Sequence, residues 1–231
     1  MRLGVLAAIF GCCFGIAQAQ SGPVVVELFT SQGCASCPPA DALLRDLTAH
    51  DDVLPLSLHV DYWDYIGWPD EFASSAFTHR QRSYAHATGR TMIYTPQMII
   101  DGQSEVAGFK PVKVMELIDA HRARPDRVSL QVVRNGESIR IKMAPLDASL
   151  PRPLEIVLVR YLPHAHVEIR AGENAGRSVD YTNIVRDWRA VAEWDGASAA
   201  VIETEWQGDL PGAVLLQEEG PGAVLAAARL R

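Results

Sequence analysis

Two cysteines, Cys34 and Cys37, lie three positions apart between an apolar run and an amphipathic run. A pair at this spacing can form a redox-active disulfide, supply two thiolates of a metal site, or act as a small structural staple. A disulfide that closes so short a loop removes little entropy from the unfolded chain, so it stabilises a fold only weakly. The spacing therefore favours chemistry over stability as the reason for the pair.

The sequence around the two cysteines indicates a junction between a strand and a helix. Residues 24–29, VVVELF, are typical of a buried strand, and Leu44 and Leu47 lie at helical spacing after the pair. The N–H groups and the dipole at a helix N-terminus stabilise a thiolate, which is the attacking species in disulfide exchange. We therefore assign Cys34, expected to be the more exposed cysteine, as the nucleophile, and Cys37 as the residue that resolves the mixed disulfide.

The first residues of the chain predict export. Residues 1–19 contain one arginine, an apolar run and a small-residue cleavage site ending at Ala19, which is the pattern of a signal peptide. The apolar run is shorter than the ~20 residues that a spanning helix needs. Cleavage after Ala19 would remove Cys12 and Cys13 and leave one cysteine pair. We expect a periplasmic or secreted protein with no membrane attachment beyond the signal peptide.

The composition is that of a globular protein. The chain has 231 residues, of which 48% are hydrophobic and 21% charged, so it can bury a core. The formal net charge is -7, and Lys and Arg are not clustered on one segment. Nucleic acid and anionic membrane surfaces are therefore not expected as partners.

The order of predicted elements divides the chain into two parts. Residues 24–123 alternate strand and helix in the order β-α-β-α-β-β-α, which predicts a central sheet flanked by helices. Residues 128–231 contain short strand-like runs, with a hairpin signal at Asn135-Gly136. We predict an α/β domain followed by an all-β sandwich-like domain, joined by a linker at residues 122–126.

The dipeptide Thr95-Pro96 stands directly before a predicted strand. With this arrangement, residues 24–123 resemble a thioredoxin-like domain, in which a cis-proline before the third strand faces the cysteine pair. The strings VELFTSQGCASCPPAD, HVDYWDYIGWPDEFASSAFTHRQRSYA, YTPQMIIDG and GENAGR are similar to those of a family of bacterial secreted thioredoxin-like proteins classed as a domain of unknown function. The resemblance implies an α/β thioredoxin-like domain, a β-rich second half, and a groove shaped by Pro96, but no settled reaction.

Residues near the pair are candidates for partner binding and proton transfer. Tyr62 and Trp63 follow the second predicted strand, at the edge of the sheet where ligands tend to bind, and with Thr95 they are candidates for a partner groove. Packing of this aromatic loop onto the second half of the chain is the structural alternative. Thioredoxins carry a buried acid before the cysteines; Glu27 is the nearest equivalent, although its spacing to Cys34 is one residue longer. An exposed glutamate at a strand end is the alternative interpretation of Glu27.

Our leading hypothesis is an exported thiol–disulfide oxidoreductase. Cys34 attacks, Cys37 resolves, and Pro96 shapes the groove for protein thiols or disulfides. This chemistry needs no cofactor beyond the redox-active disulfide. The sequence leaves open whether the protein oxidises, reduces or isomerises disulfides, and in which oligomeric state.

Two other classes of function use the same residues differently. A copper or zinc binding or delivery module would use Cys34, Cys37 and His59, because thiolates suit Cu(I) and imidazole suits several metals. A non-enzymatic binding protein would keep the cysteines locked as a disulfide and carry its interaction on the β-rich half.

Overall fold

The computed structural model describes residues 22–151 and 153–230, so the predicted signal peptide lies outside the described residues. Helices and strands alternate up to residue 122, and strands follow from residue 128. The elements are β1 (Val24–Thr30), α1 (Pro38–Leu47), β2 (Val53–His59), a 3-10 helix (Asp64–Ile66), α2 (Ser75–Ala87), β3 (Gln97–Ile100), β4 (Ser104–Ala107), α3 (Pro111–Arg122), β5 (Val128–Asn135), β6 (Ser138–Pro145), β7 (Leu154–Glu168), β8 (Ser178–Trp194), β9 (Ala200–Glu205), β10 (Gly212–Glu218) and β11 (Val224–Leu230).

Within the described residues, strands from both halves of the chain form one mixed sheet of eight strands. Its order is β11-β10-β7-β8-β2-β1-β3-β4, and β5, β6 and β9 form a separate three-stranded sheet. The two halves meet where β2 pairs in parallel with β8, at Ser57 and Ile184. The pairs β1–β2 and β2–β8 are parallel, and the remaining pairs of the large sheet are antiparallel.

This topology corrects the predicted fold class. An α/β thioredoxin-like domain followed by an all-β sandwich-like domain is wrong, because a single sheet runs through both parts. The physical reason is that β2 has a second edge with unpaired N–H and C=O groups, and β8 covers it. Periodicity predicts which residues form strands but not which strands pair. The proposed boundaries at 24–123 and 128–231 stay a prediction, and both segments contribute to the large sheet.

Strand β1 lies inside the sheet, and all seven of its residues are buried. Successive side chains of a strand point to opposite faces. Val26 and Leu28 therefore pack in the cluster that includes apolar residues of α1 and α3. Val25 and Phe29 pack on the other face, in the cluster that includes residues of α2. The strand that leads to the cysteines is thus fixed on both faces.

The three-stranded sheet covers part of the large sheet. Ile141 and Met143 of β6 belong to one apolar cluster with Ile156 of β7 and Val214 of β10, and the fully buried Trp206 closes this cluster. No helix in residues 22–151 and 153–230 is long and apolar enough to cross a membrane.

The predicted hairpins are confirmed. Asp101 and Gly102 both have positive φ, 45° and 68°, at the turn between β3 and β4, where Asp and Gly tolerate that conformation. Asn135 and Ser138 are the last pair of the β5–β6 hairpin, and Gly136 in its turn has φ 63°. The segment 181–194, which the sequence leaves open between helix and strand, belongs to β8.

We expect the two halves to unfold together because they share one sheet. Replacing the fully buried Leu158 by Ala should lower the free energy of unfolding by about 2–5 kcal/mol. Urea unfolding, followed both by circular dichroism and by exposure of the Cys34–Cys37 disulfide to a reductant, should shift equally with both probes. Val133→Ala, at a side chain that is 53% exposed, is the control and should change the midpoint little. An unchanged midpoint for exposure of the disulfide would contradict this coupling.

Candidate functional site

The two cysteines form a disulfide at the junction between β1 and α1. Their Cα atoms are 5.4 Å apart, and Cys37 is the N-cap residue of α1. The turn is closed by backbone bonds from the Cys34 N–H to Ser31 O and from the Cys37 N–H to Cys34 O, both 3.1 Å. The predicted position between a strand and a helix is therefore confirmed.

Both cysteines are buried, so the expected difference in exposure between Cys34 and Cys37 is very small. Cys34 is 1% and Cys37 0% accessible. The segment 61–69, after β2, lies over the turn before Cys34. A Cβ at Gly33 would lie 3.0 Å from Ile66 Cδ1 and 3.1 Å from Trp63 Cβ, so this close approach requires glycine. Solvent exposure depends on such distant segments, which residue order alone does not reveal.

A second cover comes from the turn between β7 and β8, the GENAGR string. The Asn174 side-chain amide donates to Gln32 O and to Cys34 O, both at 2.9 Å, and Asn174 is 1% exposed. Trp68 Nε1 donates to Gln32 Oε1 at 2.7 Å. Asn174 thus fixes the backbone of the cysteine segment from a position 140 residues away. The GENAGR string that contains Asn174 is one of those that resemble the family, but nothing local in the sequence indicates this contact.

The Thr95-Pro96 peptide bond is cis. Trp63 Nε1 donates to Thr95 Oγ1 at 2.8 Å, and the Gly108 N–H donates to Pro96 O at 2.9 Å. Trp63 and Thr95, two of the proposed groove residues, are therefore in contact. The third, Tyr62, donates to the Gln81 side chain on α2 at 3.2 Å, and its hydroxyl also interacts with the Thr95 side chain. The roles of these residues in partner binding stay predictions.

Glu27 is buried, not exposed at a strand end. Arg80 contacts both carboxylate oxygens, Nε to Oε2 at 2.6 Å and Nη2 to Oε1 at 2.8 Å, and the Tyr84 hydroxyl donates to Oε1 at 2.6 Å. The Arg80 guanidinium also lies 3.7 Å from the ring centre of Trp188. A buried carboxylate with such a bidentate partner is well compensated. These contacts tie β1 to α2 and β8, and proton transfer by Glu27 stays a prediction.

A buried histidine–carboxylate pair lies at the end of β2. His59 Nδ1 is 2.7 Å from Asp70 Oδ2, and both side chains are 0% exposed. Burial by itself would raise the pKa of Asp70. The charge and hydrogen bond of His59 and the N–H groups of Gln32 and Phe72 have the larger, opposite effect, so the pKa of Asp70 lies below its usual value. His59 Nε2 has no hydrogen-bond partner among the described residues.

Asp41 is a buried acid one helical turn after Cys37. Its Oδ1 accepts a hydrogen bond from Thr30 Oγ1 at 2.8 Å, whereas its Oδ2 is buried without a partner among the described residues. Burial raises the pKa of Asp41 to about 7, although the charge of His59 and the Thr30 bond act in the opposite direction. Sequence analysis missed Asp41; its spacing of four residues from Cys37 was the available signal.

The described residues contain no group of three or more His, Cys, Asp or Glu side chains arranged to hold a metal ion. His59, the third ligand of the alternative metal set with Cys34 and Cys37, has its Nδ1 engaged by Asp70. The metal-binding alternative stays a prediction.

Comparisons with known proteins place the chain in a family. It matches the family described as "Protein of unknown function (DUF1223)" over residues 25–218. The chain belongs to the DUF1223 family. The expected membership of a family of unknown function is thus confirmed. The family description names neither a fold nor a reaction.

Two solved structures resemble this DUF1223 protein. The crystal structure of protein AGR_C_4864 from Agrobacterium tumefaciens is 33% identical, with a TM-score of 0.78, and the match covers 91% of this chain and 95% of that one. HBP35 of Porphyromonas gingivalis is 11% identical, with a TM-score of 0.59, over 90% of this chain and 74% of that one. The second likeness concerns the fold alone. A comparison with curated proteins found no match.

We predict that Asp41 lowers stability as the pH rises. Its folded-state pKa of about 7 lies above the ordinary pKa of an aspartate. Between these two pKa values the unfolded chain binds fewer protons, so the free energy of unfolding falls with increasing pH. The loss from pH ~4 to above pH 7 should approach about 4 kcal/mol. Asp41→Asn can still accept the Thr30 bond but does not titrate, so it should abolish this loss.

The measurement is urea unfolding of both proteins across this pH range. Asp46→Asn, on the exposed side of the same helix, is the matched control and should follow the wild-type curve. Parallel curves for wild type and Asp41→Asn would show that the Asp41 carboxyl ionises normally in the fold.

Proposed function

We propose that this DUF1223 protein is an exported thiol–disulfide oxidoreductase that exchanges disulfides with protein partners. The observation that carries the proposal is the Cys34–Cys37 disulfide at the start of a helix, connected through Trp63 to the segment of the cis Thr95-Pro96 bond. The signal-like residues 1–19 support export. The local arrangement of cysteines and proline resembles that of thioredoxin-like oxidoreductases, although the sheet around it is a different one.

Trp63 connects the two parts of the proposed site. Its Cβ lies against Gly33, which precedes Cys34, and its indole N–H binds Thr95, which precedes Pro96. Trp63 therefore lies between the turn that precedes the disulfide and the cis-proline segment. A partner that displaced Trp63 would meet both.

The exchange reaction runs in two balanced steps. A partner thiolate attacks Cys34 Sγ, the Cys34–Cys37 bond breaks, and Cys37 leaves with the electron pair as a thiolate that takes up a proton. A second partner thiolate then attacks the partner's sulfur in the mixed disulfide and releases Cys34. The partner is oxidised to a disulfide and the protein is reduced to a dithiol; the reverse sequence reduces a partner.

The start of α1 gives the departing thiolate little hydrogen bonding. Pro38 and Pro39 have no N–H group, and the N–H groups of Ala40 and Asp41 already donate to Cys37 O, at 2.8 and 3.1 Å. The helix dipole remains as a favourable field. Proton supply to Cys37 therefore matters more here than in a helix whose first N–H groups are free.

Burial of both cysteines favours a second candidate function. A disulfide that is 0–1% exposed could be a locked element of a non-enzymatic binding protein. The two functions differ in whether a thiol can reach Cys34. Exchange requires the covers formed by segment 61–69 and by Asn174 to move.

We expect Cys37→Ala to trap partners. Expressed with its signal peptide, this variant cannot resolve a mixed disulfide on Cys34, so partner proteins should accumulate as bands that collapse on reduction. Non-reducing electrophoresis followed by mass spectrometry identifies them.

The double variant Cys34→Ser, Cys37→Ala is the control for this trap, because it has no thiol left in the pair. It should give none of these bands. If Cys37→Ala is well expressed but gives no such bands, the exchange proposal is wrong and the locked disulfide is favoured.

We also predict that Asn174→Ala exposes the disulfide. Two hydrogen bonds from the amide contribute roughly 1–3 kcal/mol to the closed state. Reduction of Cys34–Cys37 by dithiothreitol, followed by thiol alkylation, should be about tenfold faster or more in the variant.

Glu173→Ala, at an exposed position of the same turn, serves as the control and should reduce at the wild-type rate. Equal rates for Asn174→Ala and wild type would mean that this turn does not limit access.

A further inference from the structure

We propose that Asp41 exchanges the proton with Cys37 each time the disulfide opens or closes, and that Thr30 positions its carboxyl group. This inference rests on the proposed exchange reaction and assigns a role to Asp41 and Thr30, which the sequence did not single out. It also explains why the fold retains a buried acid with only one of its two oxygens bonded.

The position of Asp41 carries the first step of the argument. Cys37 and Asp41 are four residues apart at the start of α1, where side chains at this spacing share one face of a helix. Both are buried, at 0% and 3% exposure. The Asp41 N–H donates to Cys37 O at 3.1 Å, so the helical turn between them is formed.

The second observation is that two polar atoms near Thr30 are buried without hydrogen bonds. Asp41 Oδ2 and His59 Nε2 are both buried and without hydrogen-bond partners among the described residues. Such atoms cost free energy, and fully bonded groups would be expected if the cluster were only structural. Thr30 holds Asp41 Oδ1, and Thr30 pairs with His59 across β1 and β2, so these groups form one cluster beneath the cysteines.

The charged and titratable groups around Asp41 come from several elements. His59 ends β2, Asp70 lies in the following loop, and Tyr181 lies on β8, with its ring centre 4.8 Å from that of His59. Asp70 is held by His59 and by N–H groups of Gln32 and Phe72 and therefore stays ionised. Asp41 is the carboxyl group left to change its protonation near neutral pH.

The proton balance of the reaction follows. When a partner thiolate breaks the disulfide, Cys37 Sγ takes the electron pair and accepts the proton of the Asp41 carboxyl group, which becomes a carboxylate. In the reverse direction, the Asp41 carboxylate takes the Cys37 proton as Cys37 Sγ attacks the mixed disulfide and expels the partner thiolate. No oxidant or reductant other than the partner takes part.

The first test measures the titration of Cys37 without any exchange. In the Cys34→Ser variant, Cys37 is a single thiol whose ionisation can be followed by the ultraviolet absorbance of its thiolate. Adding Asp41→Asn should lower the pH midpoint by about one unit or more, because a neighbouring carboxylate disfavours the thiolate. Adding Asp46→Asn, an exposed residue of the same helix, should leave the midpoint unchanged.

This titration separates the two proposals. Equal midpoints for Asp41→Asn and Asp46→Asn would overturn the role of Asp41, whether or not the protein exchanges disulfides. A shifted midpoint together with empty Cys37→Ala traps would instead remove the exchange function and keep the Asp41–Cys37 interaction.

The second test uses the position of the pH inflection. In an otherwise wild-type chain, the rate of reduction by dithiothreitol should show an inflection near pH 7 that Asp41→Asn lacks. Thr30→Val keeps the shape of the side chain but removes the hydrogen bond that lowers the pKa of Asp41, so it should move the inflection to higher pH. This shift is not expected of a purely structural residue. An unmoved inflection in Thr30→Val would contradict the proposal, even if Asp41→Asn failed to fold.

Discussion

Closure of the site depends on the contact between Asn174 and the cysteine segment. The amide of Asn174 donates to the buried carbonyls of Gln32 and Cys34, the second of which also accepts a bond from the Cys37 N–H. It can reach them because β8 lies beside β2, so that the turn between β7 and β8 comes close to the end of β1. The pairing of strands from distant parts of the chain is thus what closes the site.

Strand β8 contains one residue with a left-handed backbone conformation. Asn183 has φ 47°, a left-handed conformation that asparagine tolerates better than most residues, and its side chain donates to Pro55 O at 2.9 Å. On one side of it Tyr181 contacts His59, and on the other Ile184 pairs with Ser57. One strand therefore serves both the sheet and the buried cluster below the cysteines.

Three buried carboxyl groups in the first half of the chain have three different environments. Glu27 has a bidentate arginine and a tyrosine hydroxyl, so its charge is compensated. Asp70 has His59 and two backbone N–H groups, and its pKa is lowered. Asp41 has a single hydrogen bond, and burial raises its pKa. Because a buried charge is costly unless it is paired, the least compensated group is the one that can change its protonation near neutral pH.

Local pattern predicted the elements but not their assembly. The strands and helices up to residue 122, the hairpin turns at Asp101 and Asn135, and the place of the cysteines between β1 and α1 follow from period, turn residues and helix signals. The shared sheet, the cover by Asn174 and the pairing of Glu27 with Arg80 depend on contacts 53 to 142 residues apart in the chain. Such contacts are set by which strand edges meet, and a single sequence does not encode that choice in any local signal.

Burial of the disulfide is compatible with exchange because few hydrogen bonds join the covers to the cysteine segment. No residue of the 3-10 helix Asp64–Ile66 is buried, and Tyr65 is 82% exposed. The hydrogen bonds that Asn174 and Trp68 donate to the cysteine segment contribute roughly 2–4 kcal/mol, whereas unfolding a whole domain costs about 5–15 kcal/mol. If opening the covers costs a few kcal/mol of free energy, the open state is populated at about 0.1–10%. Such a state would expose Cys34 while the sheet stays intact, and it would limit exchange to partners that bind the open form.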